Sequence, residues 1–208
     1  MENKIKKYQV ILADPPWQYD DPKGNDPKMG GIIYKTMAND EIYLLPVQNI
    51  VDNDCLLFLW ATMPKLKEAI TTIESWGFKY ITCAFVWVKQ NPNNDFKHPE
   101  LFYPTEKEVF NIYSGLGHWV NGNVELCLLG KKGTPKRASK SVKQVIIAPR
   151  GKHSQKPNEA RIRIRELCGE SINYIELFAR EKHEGWDCIG NEINGKDIKE
   201  ELEETTRR

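Results

Sequence analysis

The stretch VILADPPWQYD, residues 10–20, runs four apolar residues straight into a carboxylate, two prolines and a tryptophan. Val10, Ile11, Leu12 and Ala13 read as a buried strand, with no polar alternation that would leave one face in water. The run stops at Asp14. Pro15 and Pro16 have no N–H to give to a ladder, so they cannot continue a central strand. A charged residue and a stiff turn at the carboxyl end of an apolar strand suit a site better than a core.

Working outward, short apolar runs alternate with helical patterns. Strands are expected at 8–13, 55–60, 80–88, 124–129, 144–148, 173–178 and near 186–189. Pro64 opens a helix that puts Leu66, Ala69, Ile70, Ile73 and Trp76 on one face, and Gly77 closes it. A second helix follows Pro157, with Ala160, Ile164, Leu167 and Cys168 inward and Gly169 as the stop, although its ARIRIR also alternates like a strand. Near-continuous apolar strands separated by helices imply a mostly parallel α/β sheet covered on both faces. Such sheets bind ligands outside the carboxyl ends of their strands, where Asp14 would sit. Residues 18–38, 89–122 and 130–143 read as loops, and loops this long often serve binding.

The chain has 208 residues, 40% hydrophobic and 28% charged, which excludes a disordered or fibrous protein. One domain over 1–195 and a polar helical tail over 196–208 are expected. No apolar run reaches a membrane span, and the first residues lack a signal-peptide core. The five cysteines form no CxxC and read as reduced, so a cytoplasmic protein is expected. The four histidines are scattered, and no metal cluster is expected. Net charge is only +1, but Lys131 to Arg165 holds twelve Lys or Arg against one acid, Glu159. That segment carries +11 and leaves −10 on the remainder, which suggests a surface for a phosphate backbone.

The turn itself suggests a ligand. Asp14 accepts hydrogen bonds when ionised, the proline carbonyls accept too, and Trp17 offers a flat apolar face. Such a set suits a planar ring bearing an amino group, such as adenine. Acceptors on both amine hydrogens would pull the nitrogen toward tetrahedral geometry and free the lone pair that the ring otherwise delocalises.

DPPW after an apolar strand resembles the amino-group methyltransferases that use S-adenosylmethionine. Further segments resemble one family among them, the adenine-amine methyltransferases related to the catalytic subunit of the eukaryotic messenger-RNA adenosine methyltransferase. These are YKTMANDEI (34–42), LLFLWAT (56–62), WGF (76–78), WVK (87–89), GLGHWVNGNVELCLLGKKG (115–133), HSQKP (153–157), IELFAR (175–180) and GWDCIGNE (185–192), in family order. The resemblance implies a Rossmann-like methyltransferase fold with circularly permuted motif order, since the Asp14 segment precedes the cofactor segment. It implies that Asp14, Pro15, Pro16 and Trp17 form the catalytic pocket for the target amine, and that Asp14 also borders the cofactor. Tyr34 and Glu125 would contact the substrate adenosine. Lys156, Glu176, Phe178, Arg180, Asn191 and Glu192 would hold S-adenosylmethionine, with Glu176 accepting from ribose hydroxyls. No GxGxxG follows a strand, so the cofactor reading rests on side chains.

A compact chain without an appended recognition domain resembles a bacterial or phage DNA methyltransferase. The expected partner is therefore nucleic acid, with DNA favoured over RNA and the adenine flipped out or presented single-stranded. A homodimer or a hetero-partner is compatible with the resemblance. The alternatives are a non-catalytic nucleic-acid-binding subunit on the same fold, against which the intact Asp14, Trp17, Glu176 and Asn191 argue, and a nicotinamide-dependent oxidoreductase, against which the missing glycine fingerprint argues.

Overall fold

The computed structural model describes residues 6–19, 35–92, 111–115, 119–151 and 155–207. The described residues contain seven strands: β1 (Tyr8–Ala13), β2 (Val51–Ala61), β3 (Lys79–Gln90), β4 (Val124–Lys132), β5 (Val145–Pro149), β6 (Tyr174–Leu177) and β7 (Asp187–Ile189). They are hydrogen-bonded in the order β5-β3-β4-β2-β1-β6-β7. β1 runs parallel to β2 and β6, β6 to β7, and β3 to β5. The helices are α1 (Asn39–Tyr43), α2 (Leu66–Ser75), α3 (Glu159–Cys168), α4 (Asn191–Asn194) and α5 (Ile198–Arg207). This is the mostly parallel α/β sheet that the alternation of apolar and helical segments predicts, and the Rossmann-like fold that the resemblance implies.

The chain divides into two compact units, one of residues 1–82, 128–136 and 171–208, the other of residues 83–127 and 137–170. In the first, Val10 to Ala13 and Leu57 to Ala61 are all buried, as a strand covered on both faces requires. α2 turns Ala69, Thr72 and Ile73 inward, and Trp76 follows them into the core. Burying such side chains stabilises by about 1.5 to 3 kcal/mol each. The Trp76 indole N–H donates to the Ile42 carbonyl at 2.8 Å, tying α2 to α1. Gly77 at φ 80° ends α2: its N–H reaches Glu74 O and the Phe78 N–H reaches Ile73 O, both at 3.0 Å.

Within 196–208, expected as a polar helical tail, the helix is present and is seated on the fold. Ile198, Glu201 and Leu202 of α5 are buried, and the helix packs against the short turn Val47–Asn49. One apolar residue per turn suffices here because the buried acid is itself hydrogen-bonded.

In the second unit, Phe85 and Trp87 of β3 and Ile146 of β5 are buried. ARIRIR is helical: Ala160, Ile164 and Cys168 recur every four residues on the buried side, while Ile162 is 54% exposed. Arg163 bonds Glu159 through Nε at 2.8 Å and gives its other donors to the carbonyls of Lys143 and Val145, fixing α3 beside β5. Much of the basic segment is thereby consumed internally. Arg161 is buried, Arg163 and Arg165 pair with Glu159 and Glu170, and Lys156 pairs with Glu125. The exposed cations that remain are concentrated in 131–143 and at Arg150.

Candidate active site

Three strand ends lie in register in the first unit. Ala13 pairs with Leu177, and Leu177 with Ile189. The residues that follow, Asp14, Phe178 and Gly190, therefore leave the sheet side by side. From here the chain moves from β1 to β2 on one side and from β6 to β7 on the other. That divergence opens a crevice at the carboxyl ends of β1 and β6, the place where open parallel sheets bind ligands.

The crevice is a cleft of about 350 Å³. Asp14 and Pro16 line it from the end of β1, Phe178 and Arg180 from the end of β6, and Asn191 and Glu192 from the turn after β7. Lys35 to Met37, Glu41 and Gly195 to Ile198 complete the wall. The backbone is bent to make this shape. Phe178 sits at φ 61°, a left-handed conformation that costs a non-glycine residue about 1 to 3 kcal/mol and collects at functional sites. Gly190 lets the 178–179 backbone pass close, because a Cβ there would stand 2.5 Å from Ala179 O. The Ala179 N–H donates to Ile189 O at 2.9 Å, holding this crossing. Glu201 of α5 clasps the next turn. Its Oε2 accepts from the Gly190 N–H at 2.8 Å and its Oε1 from Asn194 Nδ2 at 2.6 Å.

The Asp-Pro-Pro-Trp turn is braced from two sides. Pro15 O accepts the Trp17 N–H at 2.9 Å, and Pro16 O accepts the Met37 N–H at 2.8 Å. Each proline carbonyl already holds one donor, which leaves it a single lone pair for a ligand. Trp17 departs from the expectation of an open stacking face. It is 3% exposed, its indole N–H donates to Trp60 O at 3.2 Å, and it is absent from the cleft lining. A large apolar ring one residue past the proline turn gains more by filling the space beside β2 than by facing solvent. Pro15 is buried as well.

The remaining expected residues fall in distinct places. Arg180 and Glu192 face one another at 3.6 Å across the cleft mouth, two expected cofactor ligands paired with each other. Glu176 is buried and does not line the cleft; His183 Nε2 lies 3.9 Å from its carboxylate and 3.8 Å from that of Glu181. Alternation along β6 sends Glu176 to the face opposite Ile175 and Leu177. Lys156, expected at the cofactor, and Glu125, expected at the substrate, meet in the second unit. Glu125 is 6% exposed, with Lys89 at 2.5 Å and Lys156 at 3.3 Å. Burial alone would raise its carboxyl, but the charges of Lys156 and Lys89 and their hydrogen bonds outweigh that and hold it below the usual carboxylate range. Tyr34 and His153 lie outside the described residues.

Sequence reasoning missed Lys35 to Met37, Glu41 and Gly195 to Ile198 as parts of the wall. Glu41 accepts the Ala38 N–H at 2.9 Å, half of a capping box, but with alanine at the cap position the sequence carries no such signature. The others are brought in by tertiary contacts alone.

The donor set suits S-adenosylmethionine. Asp14 and Glu192 can face its cationic and hydroxyl groups, Phe178 offers a ring to its purine, and Arg180 offers donors to an anionic group. Among the described residues no helix is long and apolar enough to cross a membrane.

The MT-A70 family model matches residues 8–192. The Type II methyltransferase M.MunI of a Mycoplasma species is 35% identical over 207 residues, covering 90% of this chain and 78% of that protein. The N(6)-adenosine-methyltransferase MT-A70-like protein of Arabidopsis thaliana is 32% identical over 90% of this chain and 24% of its own length. The human N(6)-adenosine-methyltransferase catalytic subunit METTL3 is 30% identical over 92% of this chain and 29% of its own length. The chain thus spans most of the first relative and about a quarter of the other two.

Proposed function

The chain belongs to the MT-A70 family of adenine-N6 methyltransferases, and from that premise we propose that it transfers a methyl group from S-adenosylmethionine to the exocyclic amine of adenine in DNA. The observation that carries this reading is the register of Ala13, Leu177 and Ile189, which sets Asp14, Phe178 and the Gly190 turn around one cleft at the point where the chain diverges. DNA is favoured over RNA because, of these relatives, the type II methyltransferase is the more similar, at 35% identity against 32% and 30% for the two adenosine methyltransferases.

The cofactor, when bound, supplies an electrophilic methyl on a sulfonium sulfur. Phe178, Arg180, Asn191 and Glu192 hold and orient it. Asp14 accepts a hydrogen bond from the adenine amine, helps draw the nitrogen lone pair out of ring conjugation, and offsets the positive charge that develops on nitrogen. Pro16, which lines the cleft, offers the second lone pair of its carbonyl as a further acceptor on the same proline-stiffened turn. Trp17 does not touch the ring; it anchors the turn to β2. The target adenine enters unpaired, because its amine is inaccessible within a duplex.

The test uses purified protein, radiolabelled cofactor and matched DNA and RNA oligonucleotides, digested to nucleosides after incubation. Labelled N6-methyldeoxyadenosine is expected. Label confined to ribonucleosides would overturn the DNA assignment. Asp14→Ala should abolish transfer with its circular dichroism spectrum unchanged, and a folded Asp14→Ala protein with near-normal turnover would refute the mechanism.

A further inference from the structure

The carboxyl ends of β3 and β5 in the second unit carry a cluster that the cleft does not use. Lys89 and Gln90 close β3, in register with Ala148 and Pro149 of β5. Two other segments hang from these consecutive residues. The Tyr113 N–H donates to Lys89 O at 2.8 Å, and the Arg150 N–H donates to Gln90 O at 3.1 Å. The guanidinium carbon of Arg150 consequently lies 3.3 Å from the centre of the Tyr113 ring, a stacked contact. The segment before Tyr113 is pinned as well. Asn111 takes a left-handed φ of 43°, its carbonyl accepts the Asn91 N–H at 3.0 Å, and its side-chain oxygen accepts Asn91 Nδ2 at 3.0 Å. Lys89 then leads to Glu125 and Lys156, two cations on one carboxylate, so the surroundings carry a surplus positive charge.

An arginine lying on an aromatic ring keeps its planar fork aimed outward. That fork matches the two non-bridging oxygens of a phosphodiester, and its orientation is set before any ligand arrives. The Arg150 side chain is exposed, and among the described residues no carboxylate is paired with it. Stacked cation and ring together also form the kind of surface on which single-stranded nucleic acid rests. We infer that Arg150, held flat by Tyr113, binds a phosphodiester of the nucleic-acid strand that carries the target adenine. This rests on the methyltransferase reading above for the identity of the strand, but not for the phosphate chemistry.

The experiment measures binding of single-stranded deoxyribo- and ribo-oligonucleotides by fluorescence anisotropy across a salt series, beside calorimetric binding of S-adenosylhomocysteine and methyl-transfer kinetics. Arg150→Ala should weaken oligonucleotide binding about tenfold, flatten the log–log salt slope by about 0.7, and raise the KM for oligonucleotide. Arg150→Lys should restore the slope but not the affinity, because the charge returns without the fork. Tyr113→Phe should bind as the unaltered protein does, and Tyr113→Ala should lose part of what Arg150→Ala loses. Equal losses on DNA and RNA are expected of a phosphate contact. An Arg150→Ala protein with unchanged affinity and slope would overturn the inference, as would an equal loss of S-adenosylhomocysteine affinity, which would make the residue structural. Should the unaltered protein neither bind that ligand nor methylate, the cleft reading falls, while the Arg150 losses on oligonucleotide would still establish the phosphate contact.

Discussion

Replacing Gly190 by alanine should weaken cofactor binding far more than it harms the fold. The added Cβ would stand 2.5 Å from Ala179 O, 2.8 Å from Ala179 N and 3.0 Å from Phe178 C, all backbone atoms that cannot swing aside. Relief requires a shift of about 0.9 Å, since ordinary contact begins at 3.4 Å. Ala179 is held by its hydrogen bond to Ile189 O at 2.9 Å, and Gly190 by Glu201 at 2.8 Å, so the displacement passes to Phe178 and Asn191, which line the cleft. Overpacking of this kind costs roughly 1 to 3 kcal/mol. Taken up by the cleft wall, that is a loss of about 5- to 150-fold in affinity, since about 1.4 kcal/mol is tenfold. Isothermal titration with S-adenosylhomocysteine reads the affinity, and a thermal melt without ligand reads the fold. A Gly190→Ala protein that binds the cofactor product as tightly as the unaltered chain would show that the crossing of β6 and β7 ends does not shape the cofactor site.

Two further outcomes follow from buried groups. Trp17→Ala should lower unfolding free energy by about 3 to 5 kcal/mol in urea titrations, because it empties a buried ring volume and removes the indole donor to the Trp60 carbonyl; intact stability with lost activity would instead return Trp17 to the substrate face. Glu125→Gln removes the charge between Lys89 and Lys156 and should cost about 3 kcal/mol at neutral pH. The Glu125 carboxyl is depressed in the folded chain, so its contribution is full above its ordinary value of 4.5 and disappears as pH falls through the lower folded value. The stability gap between the two proteins should therefore stay level above that value and close below it in acid titrations followed by circular dichroism.

The sheet was legible because buried parallel strands must be apolar on both faces, as residues 10–13 and 55–60 are. α3 was ambiguous because Arg161, Arg163 and Arg165 alternate with isoleucines; only the burial of Ala160, Ile164 and Cys168 on one side decides it. Asp14 was conspicuous because it ends an apolar strand; Phe178, Arg180, Asn191 and Glu192 came only from the family resemblance, and the structure brings all five to one cleft. The site was illegible where position depends on a distant partner. Trp17 looks like a stacking face until Trp60 O is found to hold it, and the basic run of 131–165 looks continuous until Arg163 and Arg165 turn back to Glu159 and Glu170. Glu125 and Lys156 resist reading for the same reason, being 31 residues apart in sequence and joined only through the sheet.

Glu201 has a practical bearing on how this enzyme can be handled. The family match stops at residue 192, yet the carboxylate that steadies the Gly190 turn comes from the helix beyond it. A fragment trimmed to the recognisable family boundary would lose Asn194 and Glu201 together, leaving the Gly190 N–H without its acceptor at about 1 to 3 kcal/mol. Such a fragment could keep every motif residue and still handle its cofactor poorly. Affinity tags are accordingly better placed at the amino end, and variants near the carboxyl end are worth screening as tuning knobs for methyl-donor affinity.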